Sequence, residues 1–65
     1  MGHCLVAYDI HSDTLRRNMG RLLESSGTRL QRSVFVVRLS DGEKKQLEAF
    51  VQEKLEDGDS LLILP

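Results

Sequence analysis

The order of apolar patterns along the chain is the feature that most narrows its fold. Four short extended runs are interleaved with two helical stripes. Between His3 and Ile10, Cys4-Leu5-Val6-Ala7-Tyr8 is almost continuously apolar, as in a strand covered on both faces, and Asp9 stops the run. Ser12 or Asp13 then supplies an N-cap. Leu15, Met19, Leu22 and Leu23, at i, i+4, i+7 and i+8, form one helical face, with Arg17 and Arg21 opposite and Arg16 on its flank. Ser25-Ser26-Gly27 ends this helix, with Gly27 expected in a left-handed conformation. Gly20, inside the helix, costs about 1 kcal/mol relative to alanine and is a candidate for close backbone approach. Thr28 to Gln31 reads as a short extended stretch and Ser33 to Leu39 as a valine-rich strand, with the break at Gln31-Arg32. Ser40-Asp41-Gly42-Glu43 is a capping box. It opens a second helix with the stripe Leu47, Phe50, Val51 and Leu55, ended by Asp57-Gly58. Leu61 to Leu64 is a last buried strand, closed by Pro65.

The resulting order, β-α-β-β-α-β, predicts a single α+β domain over residues 1–65 with a ferredoxin-like sandwich. Two helices cover one face of a four-stranded antiparallel sheet. The other face has no cover within the chain, which predicts a sheet-to-sheet homodimer. Size argues the same way. One core in a chain of 65 residues yields roughly 3–5 kcal/mol. Cys4 is the only cysteine, so no disulfide within the chain can add to that. No apolar run approaches the ~20 residues needed to span a bilayer. The N-terminus lacks a signal-peptide layout. A cytoplasmic location with no membrane partner is therefore expected.

The formal net charge of −1 hides a strong segregation. Residues 14–39 hold all six arginines and one acid, Glu24, whereas residues 40–65 hold seven acids against three lysines. A centre of pure arginine suits phosphate, because the guanidinium fork meets phosphate oxygens in pairs. An ordinary solvated helix face paired with the acidic C-terminal half would read the same way. Asp9 is the sharpest single feature. An acid at the end of an apolar strand has to be exposed or paired, and aspartate is a hard oxygen ligand for Mg²⁺. A two-fold dimer could bring two copies of Asp9 together around a metal that activates water. Alternatively, Asp9 orders the strand-to-helix turn. Asp9-x-His11-x-Asp13 can be a metal cluster or a polar loop in which Asp13 serves the helix N-terminus. Phe35 could stack on a base or belong to the core.

Several segments together resemble one known family. Leu5-Val6-Ala7-Tyr8-Asp9-Ile10 is similar to its first strand and Leu15-Arg16-Arg17 to its helical arginine segment. Gly27-Thr28-Arg29-Leu30-Gln31-Arg32-Ser33-Val34-Phe35 resembles its Gly-x-Arg-x-Gln-x-Ser-Val-Phe segment, and Asp59-Ser60-Leu61-Leu62-Ile63-Leu64-Pro65 its Asp-Ser-x-x-Ile-x-Pro end. The family is CRISPR-associated protein 2, the smaller partner of the CRISPR integrase in spacer acquisition. The resemblance implies a homodimer with Mg²⁺- or Mn²⁺-dependent endonuclease or endoribonuclease activity on RNA or double-stranded DNA. Asp9 matches the catalytic, metal-binding aspartate. Arg16, Arg29 and Phe35 match positions tied to activity or substrate binding, Ser33 matches the residue before Val-Phe, and Arg17 is a further candidate contact. The alternatives are a non-catalytic scaffold that bridges integrase subunits and holds DNA, or a related toxin-like endoribonuclease. Two departures stand out. Asn18 occupies the place of a second helical arginine of some members. The family's usual C-terminal segment, a strand that packs on the partner protomer, is expected to be absent after Pro65.

Overall fold

The computed structural model describes residues 2–65, and the predicted order of elements holds along them. They are β1 (Gly2–Asp9), α1 (Asp13–Glu24), β2 (Gly27–Gln31), β3 (Val34–Leu39), α2 (Asp41–Gln52) and β4 (Ser60–Leu64). The sheet runs β2-β3-β1-β4, every neighbouring pair antiparallel, so the ferredoxin-like sandwich is the observed fold. Val6 of the central strand sits between Phe35 and Ile63. Among the described residues no helix is long and apolar enough to cross a membrane.

Both helices begin where the sequence sets them. The Ser12 hydroxyl accepts from the Leu15 amide at 3.2 Å, and Ser40 and Glu43 close the full capping box, with both bonds in place. One core forms between the helices and a single face of the sheet. It takes Leu15, Met19 and Leu23 from α1, Leu47 and Val51 from α2, and Cys4, Val6, Tyr8, Phe35, Val37 and Leu39 from the central strands. Leu22 and Phe50, read as stripe residues, stand at the stripe edges and are exposed. Leu55 lies beyond α2, which ends at Gln52 rather than at Asp57-Gly58, yet still packs against the core from the connecting turn.

Three further local readings are corrected. The hairpin break falls at Arg32-Ser33, one residue late, because a bulge between Arg29 and Gln31 takes up a residue of β2. Gly27 is not a left-handed cap. It lies in β2, and a Cβ there would meet the Val36 carbonyl oxygen and come within 2.6 Å of Val37 Cα. The glycine is required by close strand approach, and the one positive-φ residue among those described is Gly58, at φ 90°. Finally, β4 is not fully buried: Leu61 and Ile63 are half-buried, while Leu62 and Leu64 are exposed.

The second face of the sheet is apolar and uncovered within the chain. Leu5 and Ala7 alternate with the buried residues of β1, and their register partners are Val36, Val34, Leu62 and Leu64. Two-residue alternation continues Leu5 and Ala7 to Asp9, whose Cβ therefore stands at the end of this face.

Candidate functional site

An open groove of about 810 Å³ runs beside the C-terminal end of β1. It is lined by Tyr8, Asp9, Ile10, Asp13, Arg16, Arg17, Arg21, Glu24, Arg29, Arg32 and Ser33. β1 delivers Asp9, α1 delivers Arg16, Arg17 and Arg21, β2 delivers Arg29, and the β2–β3 turn delivers Arg32. The turn is moored by the Tyr8 amide, which donates to the Ser33 carbonyl at 3.1 Å. Of the sequence-predicted residues, Asp9, Arg16, Arg17, Arg29 and Ser33 therefore line one groove. Phe35 does not. It is 0% exposed and stacks against Tyr8, with ring centroids 6.1 Å apart. No face of its ring is open to a base in this protomer, so its influence on the groove is indirect, through Arg29.

Arg29 is engaged through all three of its guanidinium nitrogens. Its Nε and Nη2 donate to one Glu24 carboxylate oxygen at 2.9 and 2.6 Å, and its Nη1 donates to the Arg32 carbonyl at 2.8 Å. Its guanidinium carbon lies 4.7 Å from the centre of the Phe35 ring, within cation–π range. Gly20 explains how the guanidinium reaches this seat: a Cβ there would come within 2.9 Å of Arg29 Nη2. The mid-helix glycine thus marks a close approach, of a side chain to the helix backbone. Arg16 is also engaged, donating to the Ile10 carbonyl at 3.0 Å and pairing with Asp13. Such exposed pairs contribute at most about 1 kcal/mol each, but they fix where charge remains.

Five arginines and three carboxylates line the groove. Asp13 pairs with Arg16 and Glu24 with Arg29. Among the described residues Arg17, Arg21 and Arg32 form no ion pair, and Asp9 is the one groove carboxylate outside a pair. The groove therefore offers unpaired cations to an anionic chain and an exposed hard oxygen to a cation. Burial pushes the Tyr8 phenol above its ordinary value, against the opposing pull of Arg29, so at neutral pH it remains a neutral donor. Arg21, Arg32 and Glu24 were not singled out as site residues by sequence. Their one signal was the crowding of arginine into residues 14–39.

Asp9, His11 and Asp13 do not converge. Among the described residues no three His, Cys, Asp or Glu side chains could hold a metal ion. His11 turns instead to Asp59, whose carboxylate accepts from the His11 amide at 2.9 Å, from the Glu56 amide at 3.1 Å and approaches His11 Nδ1 at 2.6 Å. The Asp59 side chain is 1% exposed and the His11 side chain 69%. This clasp ties the β1–α1 turn to the α2–β4 turn next to Asp9. Hydrogen bonding to Asp59 raises the His11 pKa above 6.5, and the Glu56 amide, followed by His11, lowers that of Asp59 below 3.8. The imidazolium's contribution to stability is thus fully present below about pH 6.5 and is lost as pH rises through the raised His11 value. The Asp59 contribution is lost only in acid, as pH falls through its lowered value. Comparing melting midpoints of wild type and His11→Ala between pH 5.5 and 8.5 tests this reading. The gap is expected to be wider at the acidic end; a gap independent of pH would remove the ionic part of the clasp.

The family model described as CRISPR associated protein Cas2 matches residues 1–65 of the chain. No curated protein matches it. Among solved structures, it is similar to hypothetical protein TT1823 from Thermus thermophilus, with a TM-score of 0.80 and 39% identity, over 97% of this chain and 78% of that one. It also shares its fold with Streptococcus pyogenes Cas2, with a TM-score of 0.82 and 21% identity, over 98% of this chain and 84% of that one.

Proposed function

The chain belongs to the CRISPR-associated Cas2 family, and from that premise we propose that it is a nucleic-acid-handling subunit of CRISPR adaptation, with metal-dependent phosphodiester hydrolysis centred on Asp9 in a homodimer. The observation that carries this reading is the groove: unpaired arginines and one unpaired, exposed carboxylate line it together. The apolar second face of the sheet supports the dimer. Asp9 stands at the end of the face that carries Leu5 and Ala7, and isologous packing repeats every residue across the axis, so a two-fold axis passing near this end of β1 would set two copies of Asp9 side by side.

The residues present fit Mg²⁺ or Mn²⁺. Magnesium keeps several waters and takes one or two carboxylates beside substrate phosphates rather than a full protein cage. Asp9, one from each protomer of the proposed dimer, would supply those carboxylates. When bound, the metal supplies an activated water and neutralises charge developing on the phosphate. The chain's own contribution is to hold the substrate backbone with arginine and to keep Asp9 clear of any arginine partner. RNA and double-stranded DNA present the same phosphodiester, and phosphate contacts carry little sequence information.

A second reading is a non-catalytic scaffold that holds DNA and bridges subunits of the CRISPR integrase. It is favoured by the single carboxylate that each protomer contributes to the groove once its pairs are formed. Incubating the purified protein with labelled single-stranded RNA and double-stranded DNA, in Mg²⁺ and in EDTA, separates the two. Cutting in Mg²⁺ alone supports the hydrolase; binding without cutting, with contaminating nuclease excluded, supports the scaffold.

A further inference from the structure

We infer that Arg17, Arg21 and Arg32 make the phosphate contacts in the groove, while Arg29 acts as a positioning residue that shapes it. The inference rests on the nucleic-acid reading above and divides its arginines by what they already hold. A guanidinium binds phosphate through two parallel N–H donors. In Arg29 the Nε–Nη2 edge already meets Glu24, Nη1 meets the Arg32 carbonyl, and the Phe35 ring covers one face. A phosphate arriving there would have to displace a carboxylate that is already in place. Arg16 is engaged in the same way by Ile10 and Asp13.

Arg17 and Arg21 stand four residues apart on α1, and Arg32, on the β2–β3 turn, lines the same groove. All three line the groove, are exposed, and form no ion pair among the described residues. The turn and the helix are linked: Arg29 donates to the Arg32 carbonyl and pairs with Glu24 of α1. Through these contacts Arg29 ties the turn carrying Arg32 to the helix carrying Arg17 and Arg21. Its effect on binding passes through that link rather than through phosphate.

Salt dependence distinguishes the two roles. Each phosphate neutralised on duplex DNA adds about 0.9 to the slope of log affinity against log salt, and about 0.7 on a single strand. Affinities of the full chain for a labelled DNA duplex and a labelled single-stranded RNA are measured over a salt series in EDTA, beside melting midpoints. Arg21→Ala and Arg32→Ala are each expected to lower the slope by about one phosphate, by those amounts, with the melting midpoint unmoved. Arg29→Ala is expected to keep the slope and lower the midpoint. Where Arg29→Ala does not fold, the slopes of the two exposed variants decide alone. Slopes unchanged in both, with wild type still binding, would overturn this assignment and leave the function standing. A wild type that binds neither probe would overturn both.

Discussion

Replacing Asp9 by asparagine is expected to abolish metal-dependent cleavage while leaving binding and folding intact. The substitution keeps size and shape and removes one charged oxygen ligand. Metal assistance in phosphodiester hydrolysis is worth several kcal/mol, and each 1.36 kcal/mol is tenfold in rate, so a loss of about a thousandfold or more is expected. Stability moves little, within about 0.5 kcal/mol, because Asp9 is exposed at a strand end and engages no arginine. Affinity for nucleic acid is expected to hold or rise slightly, since a negative charge leaves the groove proposed to bind phosphate. Initial rates with Mg²⁺ and affinities in EDTA, for both proteins prepared identically, give the test. A variant that cuts at the wild-type rate would move catalysis away from Asp9.

Phe35→Ala is expected to have the largest effect on stability. The ring is wholly buried, stacks on Tyr8 and carries the Arg29 guanidinium on its face. Truncating a buried phenylalanine costs about 3–5 kcal/mol, which equals what one core of this size supplies. The expected result is a chain largely unfolded in the far-ultraviolet dichroism spectrum, unless a dimer interface holds it. Phe35→Leu separates the two functions of the ring. It retains most of the apolar volume and removes the cation–π seat, worth about 0.5–1 kcal/mol at an exposed site. That variant is expected to fold with a midpoint lower by several degrees, at about 4–8 °C per kcal/mol for a domain of this size. A midpoint for Phe35→Ala within a few degrees of wild type would show that the ring does not hold the core.

The parts legible in sequence are those written locally. Ser12 and the Ser40–Glu43 box fix both helix starts through contacts three residues long, and the run from Cys4 to Tyr8 marks the central strand. Asp9 stood out as the acid that ends it. The parts that were not legible depend on contacts between distant segments. Gly27 reads as a helix terminator from its place after Ser25-Ser26, and only the pairing of β2 beside Val36 and Val37 shows that close strand approach requires it. Leu55 continues the stripe of α2 by spacing but reaches the core from a turn, so periodicity overran the helix end. The Asp59 clasp spans 48 positions. Which arginines remain available depends on Glu24 and Asp13, and charge segregation locates the arginines without saying which are already engaged.

The placement of β1 has a kinetic consequence. β1 precedes the other described strands in sequence yet lies inside the sheet, and it stays unpaired until β3 and β4 arrive from far along the chain; only the β2–β3 hairpin is local. Non-local pairing raises contact order, and loop closure has to precede any gain from the ladder. Such a topology folds more slowly than a helical bundle of equal length. Meanwhile the strand that carries Asp9 offers two bare edges and an apolar face to whatever lies nearby. Should two copies pair as proposed, that pairing and the folding of this small chain would compete for the same strand.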